Sequence, residues 1–319
     1  MSAAVDTKRG DVWFRIRLNL QSIVGRSYPR IIGANREPSW IIFEAILPLL
    51  GIAAYVFIYQ FFADQAIRAT VSSPSLTADQ VAAAVAQAKA NLNALVAAVI
   101  LGGTMVAFWL NVLWSMASQL YWEKEIGNLQ LYMMAPMSRM ALLGGMAVGG
   151  IVMTSVRALT TLVVGIVVFG VILTVVNPLL LLAVFFVTLI ALYGMGMMFA
   201  SLYLLWGREA WNLSALMEEP IFFTSGFYFP AGGFGRIGGW GPYVLAAAAA
   251  VPATLGLDAM RQLVTPGAWG GTLWILPSVN TELGILLVLA VAFLILARYC
   301  LAYLEHLAKR EGRLTSRHQ

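Results

Sequence analysis

Long apolar runs separated by short polar interruptions dominate the chain. They cover residues 40–62, 92–120, 142–175, 179–206, 211–229 and 282–304. A helix needs about 20 mostly apolar residues to cross the hydrocarbon core of a bilayer, so each run predicts a membrane span. Asn177 and Pro178 separate the third and fourth runs, predicting a tight turn with proline at the first helical position of span four. Between the fourth and fifth, Gly207, Arg208 and Glu209 leave room only for a minimal loop. Residues 230–279 are apolar but broken repeatedly by Gly and Pro, so no clean span fits them. Irregular backbone survives at membrane depth only inside protein or beside water. That stretch therefore predicts re-entrant helices and an external cap before the last span. The fold expected is an all-α integral membrane protein with six transmembrane helices.

The flanks have a different pattern. Within residues 1–39, Trp13, Ile16, Leu20, Ile23 and Val24 fall on one face of a helix and arginines on the other. This suits an amphipathic helix lying in the membrane surface. Asp11 is placed to cap its start, and Pro29 and Pro38 to end it and begin the next element. The first span begins only near Trp40, so the expectation is an uncleaved anchor with no signal peptide. Residues 63–91 are polar, yet 79–95 are Ala-rich without a breaker, which predicts a helix running on into span two. The division expected is a segment 1–39, a transmembrane domain 40–304 and a basic tail 305–319.

Composition agrees with the pattern. The chain is 60% hydrophobic and 11% charged, against about 25% charged in ordinary globular domains. The single Cys300 excludes a disulfide framework. The net charge of +5 gathers at the two ends, so it reads as topology and lipid contact, with no nucleic acid implied. Six spans put both termini on one side, and their Lys/Arg content makes that side the cytoplasm of a cell (inner or plasma) membrane. Segments 63–91 and 230–281 are then external; up to residue 279 they carry only Arg68, Lys89, Arg236 and Arg261 as cations.

Catalytic and metal chemistry is hard to build from this chain. Its two histidines, His306 and His318, both lie in the tail, and there is no H-E-x-x-H, no G-x-S-x-G and no G-x-x-x-x-G-K-[ST]. No catalytic residue, metal ligand or cofactor is expected on the chain itself.

One polar interruption is too patterned for a connector. Residues 119–139 read QLYWEKEIGNLQLYMMAPMSR. This segment, the amphipathic helix before span one, EEPIFFTSGFYFP in span five and Asp258-Ala259-Met260-Arg261 before span six together resemble the permease subunit of ABC transporters of the type-2 exporter family. The likeness covers most of the chain. Asn128 and Gln130 depart from its Gly-Thr-Leu-Glu pattern. The resemblance implies that 119–139 forms a coupling helix docking on a separate ATPase, through Glu123, Lys124, Glu125, Gly127, Leu129, Pro136 and Arg139. In that reading the charges form a polar rim, and Leu129, Leu131, Tyr132, Met133 and Met134 an adaptable apolar surface. Arg208 and Glu209 would be a second, smaller docking loop. It further implies two copies of the ATPase, which would carry the ATP and Mg, and export of an amphipathic substrate such as a drug, lipid or natural product. Six spans enclose too narrow a path, so a second permease copy or a similar permease is expected.

Charges within the spans are costly and usually pair or line a water path. Arg157 can pair with Glu218 or Glu219, or these can form a gate or substrate contact. Glu44 can snorkel or pair with Arg36. Phe222, Phe223, Phe227, Tyr228 and Phe229 crowd the outer half of span five, and Met195, Met197 and Met198 crowd span four. Lipid-facing packing and an apolar substrate path both account for them. Gly144, Gly145, Gly149 and Gly150 suit close helix contact. Two other classes stay open: an ATP-independent insertase or scaffold using Arg157, and an ion-coupled secondary transporter. The latter calls for inverted repeats, and no matching pair of broken spans is seen. Neither explains the patterned segment 119–139.

Overall fold

The computed structural model describes residues 12–35 and 38–310. Among them all regular structure is helical. The α-helices are α1 (Val12–Asn35), α2 (Pro38–Val71), α3 (Ala78–Leu110), α4 (Gln119–Ile126), α5 (Asn128–Met134), α6 (Arg139–Phe169), α7 (Pro178–Trp206), α8 (Ala210–Thr224), α9 (Gly241–Ala249), α10 (Pro252–Val264) and α11 (Val279–Arg310). Five helical stretches are long and apolar enough to cross a bilayer: Pro48–Val71, Ala78–Ile126, Arg139–Phe169, Pro178–Tyr203 and Val279–Leu307. The protein is membrane-embedded. A further apolar pair, α9 and α10, is bent by 95° at its break.

The second of these stretches forms the core. Its apolar window is 83% buried, against 22% for α6 and for α11, as expected of a helix apolar on every side. Met105, Phe108, Trp109, Val112, Leu113 and Met116 pack there against Leu143 and Met146 of α6 and Leu189, Leu192 and Tyr193 of α7. α7 lies along α11, and α2 against α3. The start of α3 is set locally: Thr77 and Gln80 form a reciprocal capping box. Asn177 caps α7, with Pro178 in its first turn, as the sequence indicates. Before that turn, Asn93 clasps Ile172 with both ends of its amide, at 2.8 and 2.9 Å. Thr174 and Val176 donate to the carbonyls of Val264 and Leu263.

Three boundaries differ from expectation. α1 does not end at Pro29, which lies inside it. An internal proline gives up its hydrogen bond to the Gly25 carbonyl and crowds it, yet the helix runs on for six residues beyond Pro29. The apolar run 92–120 does not stop before the charged segment. It passes through a π-helical stretch, Asn111–Met116, into α4, and breaks only at Gly127. The helix expected over 211–229 ends at Thr224. Its 15 residues reach about 22 Å, short of a core about 30 Å thick. Asp11 and Arg36, and the Glu44 side chain, lie outside the described residues.

α1 packs along α6. The fit needs glycine: a Cβ at Gly145 would sit 2.7 Å from Arg26 Cβ and 2.8 Å from the Ile23 carbonyl oxygen. Gly145→Val should therefore cost about 1–3 kcal/mol by overpacking. The expected readout is a lower melting temperature in detergent together with faster proteolysis within α1. Unchanged cleavage would show that α1 is held elsewhere.

Candidate functional site

The charged segment folds as two short helices hinged at Gly127. This residue has φ 88° and ψ 1°, and its N–H closes α4 on the Lys124 carbonyl at 3.0 Å. Only glycine adopts that left-handed conformation cheaply. After α5, Ala135 turns extended, as residues before proline do, and exposed Pro136 leads to Ser138, whose hydroxyl caps α6 through Ala141 N–H.

The acidic residue expected on a polar rim is a buried hub. Glu123 is 4% exposed and ion-paired with Arg26 of α1. Asn128 donates to its second carboxylate oxygen at 3.1 Å, and Gln119 to the first at 3.4 Å. The Tyr132 hydroxyl also hydrogen-bonds it, with Arg26 standing 5.6 Å over the Tyr132 ring. Burial, partly offset by Arg26, raises the Tyr132 phenol above its ordinary range, so it stays a donor. Asn128, where this chain departs from the pattern it resembles, is therefore part of the hub. Lys124 and Leu129 are buried, and Glu125 is half-buried. What the element presents outward is apolar: Ile126, Leu131 and Met134 are 67%, 62% and 75% exposed.

α1 clamps this element from the side. Arg30 reaches Gln119 at 3.0 Å, the Met146 carbonyl at 3.4 Å and the Ser115 hydroxyl. Asn19 accepts from Ser138 N–H at 2.9 Å. Arg139 is half-exposed and paired with buried Glu305 of α11 at 2.6 Å. Residues 207–209 form one 3-10 turn, with Glu209 exposed. Two residues on, the Trp211 ring packs on Tyr121 and Trp122 with centroids 6.3 and 5.9 Å away. Both segments expected to dock thus lie at one end of the molecule.

Deeper in the bundle, Arg157 is half-buried on α6 and close enough to Tyr193 for charge to act between them. Tyr193 donates to Asn111 in the π-helical stretch at 2.9 Å. Glu218 accepts from Trp114 Nε1 at 2.8 Å, while Glu219 and Phe223 are exposed. Phe227 is fully buried, and Tyr228 stacks on Tyr55 at 4.3 Å. An apolar cavity of about 260 Å³ opens between α3, α6 and α7, lined by Leu101, Phe108, Leu159, Leu182 and Phe185 among others.

A cluster that sequence reasoning gave no role lies on α10. Arg261 is fully enclosed. It donates to the carbonyls of Ala98 and Gly226, both at 2.7 Å, and of Phe227 and Phe229, both at 3.2 Å. Its neighbour Gln262 bridges two buried carboxyls, Asp258 at 3.3 Å and Glu282 at 3.2 Å. Those carboxyls also accept the Ile275 and Leu276 N–H groups, tying α10 to the start of α11. The available signal was an arginine just after an interrupted span. Among the described residues, no group of three or more His, Cys, Asp or Glu could hold a metal.

The clamp gives a direct expectation. Arg26→Met leaves Glu123 buried without its cation, a change that costs about 3–5 kcal/mol when a pair is fully buried and less here, where Arg26 keeps some solvent. Removing both charges, Arg26→Met with Glu123→Leu, should restore most of the stability in thermal unfolding. A double variant no better than the single would show that the two do not act as a pair.

No protein-family model matches the chain, and no curated protein matches it.

Proposed function

We propose that this chain is the membrane permease subunit of an ATP-driven exporter of the ABC type. It would work as a pair of permeases with two copies of a separate ATPase, and move an amphipathic substrate. The observation that carries the reading is the apolar ridge Ile126–Leu131–Met134, held out on α4 and α5 at the end of the helix that forms the core. Exposed apolar ridges of this kind mark protein contact sites. ATP and Mg belong to the docked partner.

The arrangement suits transmission of force. α4 continues the central helix through the π-helical stretch, so a push at Ile126 reaches the core without crossing the Gly127 hinge. Trp114 passes it to α8 through Glu218, and Tyr193 links the same stretch to α7. The exposed side of α8, with Leu216, Glu219 and Phe223, is the one we assign to a path shared between two copies. Phe227, Tyr228 and Arg157 stand behind it as packing and gating groups. We count α8 with the broken segment after it as a sixth crossing, which returns the chain for α11 and leaves both termini on the cytoplasmic side. α1 then lies in the inner membrane surface.

Purification of the tagged chain in mild detergent should bring with it a P-loop ATPase in equal copy number. Ile126→Asp combined with Leu131→Asp should abolish that co-purification and substrate-stimulated ATP hydrolysis, with the melting temperature unchanged. A chain that runs alone even after crosslinking in native membranes would overturn the reading and bring forward the insertase alternative.

A further inference from the structure

Beside the ridge, a polar recess of about 530 Å³ opens between α1, the 135–140 turn and the last third of α11. It holds two arginines, Arg139 and Arg298, and one carboxylate, Glu305. Glu305 is buried and paired with Arg139, so the recess keeps one uncompensated positive charge. Among the described residues, Arg298 has neither a hydrogen bond nor an ion pair.

Neutral donors converge on the same place. Arg139 and Met140 are the first two residues of α6, where backbone N–H groups have no acceptor within the helix. Asn19 spends its carbonyl oxygen on Ser138 N–H, which leaves its amide hydrogens without an acceptor among the described residues. The recess thus offers Arg298 and neutral donors beyond what its one carboxylate, already held by Arg139, can receive.

Its depth identifies the source of that anion. Arg298 lies 19 positions after Val279, where α11 begins, about 28 Å along the helix axis. That is close to the thickness of the hydrocarbon core, so with the start of α11 at one boundary Arg298 stands at the other, where headgroups begin. The next residues on the outer face of α11, Tyr299 and Tyr303, are 69% and 67% exposed, as tyrosines at a membrane boundary are. Basic pockets between helices at this level bind anionic headgroups.

The geometry points to a binding site in this recess for the phosphate of an anionic phospholipid. Arg298 and Arg139 supply the charge, and Asn19 and the first turn of α6 supply neutral donors. The occupant would join α1, α6 and α11 at their common end. This inference does not depend on the transporter reading.

The test uses the full chain, purified and delipidated in mild detergent. Its melting temperature is followed with added phosphatidylglycerol, phosphatidylcholine or inorganic phosphate, and lipid retention is counted by native mass spectrometry. Phosphatidylglycerol should raise the melting temperature by several degrees and stay bound as one molecule per chain. Phosphatidylcholine should do neither. Arg298→Gln, at an exposed position, should melt like the parent without lipid, lose at least half of the shift and release the lipid; Arg298→Lys should keep part of both. An equal shift in Arg298→Gln, or equal protection by phosphatidylcholine, overturns the site. Protection by inorganic phosphate at the same concentration, with no lipid retained, overturns the lipid source.

Discussion

A peptide carbonyl inside hydrocarbon has no water to bond, and this chain breaks a helix within its own bundle. After Thr224 the backbone turns through Gly226 and leaves several carbonyls outside any helical ladder. One guanidinium answers them. Arg261 gathers three carbonyls from the broken segment and a fourth from the central helix, so a single side chain fixes α8, α10 and α3 relative to one another. Its five N–H donors in a rigid fork make arginine suited to that task, where lysine would be a single flexible point. The close approach extends to the backbone. A Cβ at Gly102 would fall 1.4 Å from the Phe227 carbonyl oxygen. The Asp258–Gln262–Glu282 bridge then locks the same helix to the beginning of α11. Much of this half of the molecule is organised around the one break.

At the opposite end, charge is used for cohesion. Glu123 could have lain on a rim, yet it is enclosed by Arg26, Gln119, Asn128 and Tyr132. A hydrogen-bonded ion pair at this burial fixes geometry more than it adds stability. The consequence is a stiff mount for an apolar ridge, with the polar residues turned inward and the apolar ones outward.

What was legible in the sequence follows from how local each signal is. The long spans declare themselves by composition alone, as α6, α7 and α11 do. Turn chemistry placed the Asn177–Pro178 cap, and alanine content placed the run from Ala78 into the core. The early stop of α8 was not legible, because Phe227–Phe229 are as apolar as the helix before them. What accepts the break is the distant Arg261, which meets the Gly226 carbonyl from 35 residues away. Pro29 misled in the opposite direction: the residue punctuates most helices, but here α1 continues through it, held along its length against α6. Residues 119–139 were legible as a patterned segment, while the left-handed hinge at Gly127 comes from the structure. The direction each of its side chains takes depends on α1, which the segment itself does not encode.

The clamp also constrains the order of assembly. Arg26 and its partner Glu123 are 97 residues apart, and the Met146 carbonyl that Arg30 binds comes 116 residues after it. During synthesis α1 therefore emerges well before anything it can grip. Trp13, Leu20 and Val24 remain exposed even in the finished fold. That face is left uncovered by the bundle itself. α1 is thus made before its partners on α4 and α6 and secured only after them, so its docking is a late step of assembly.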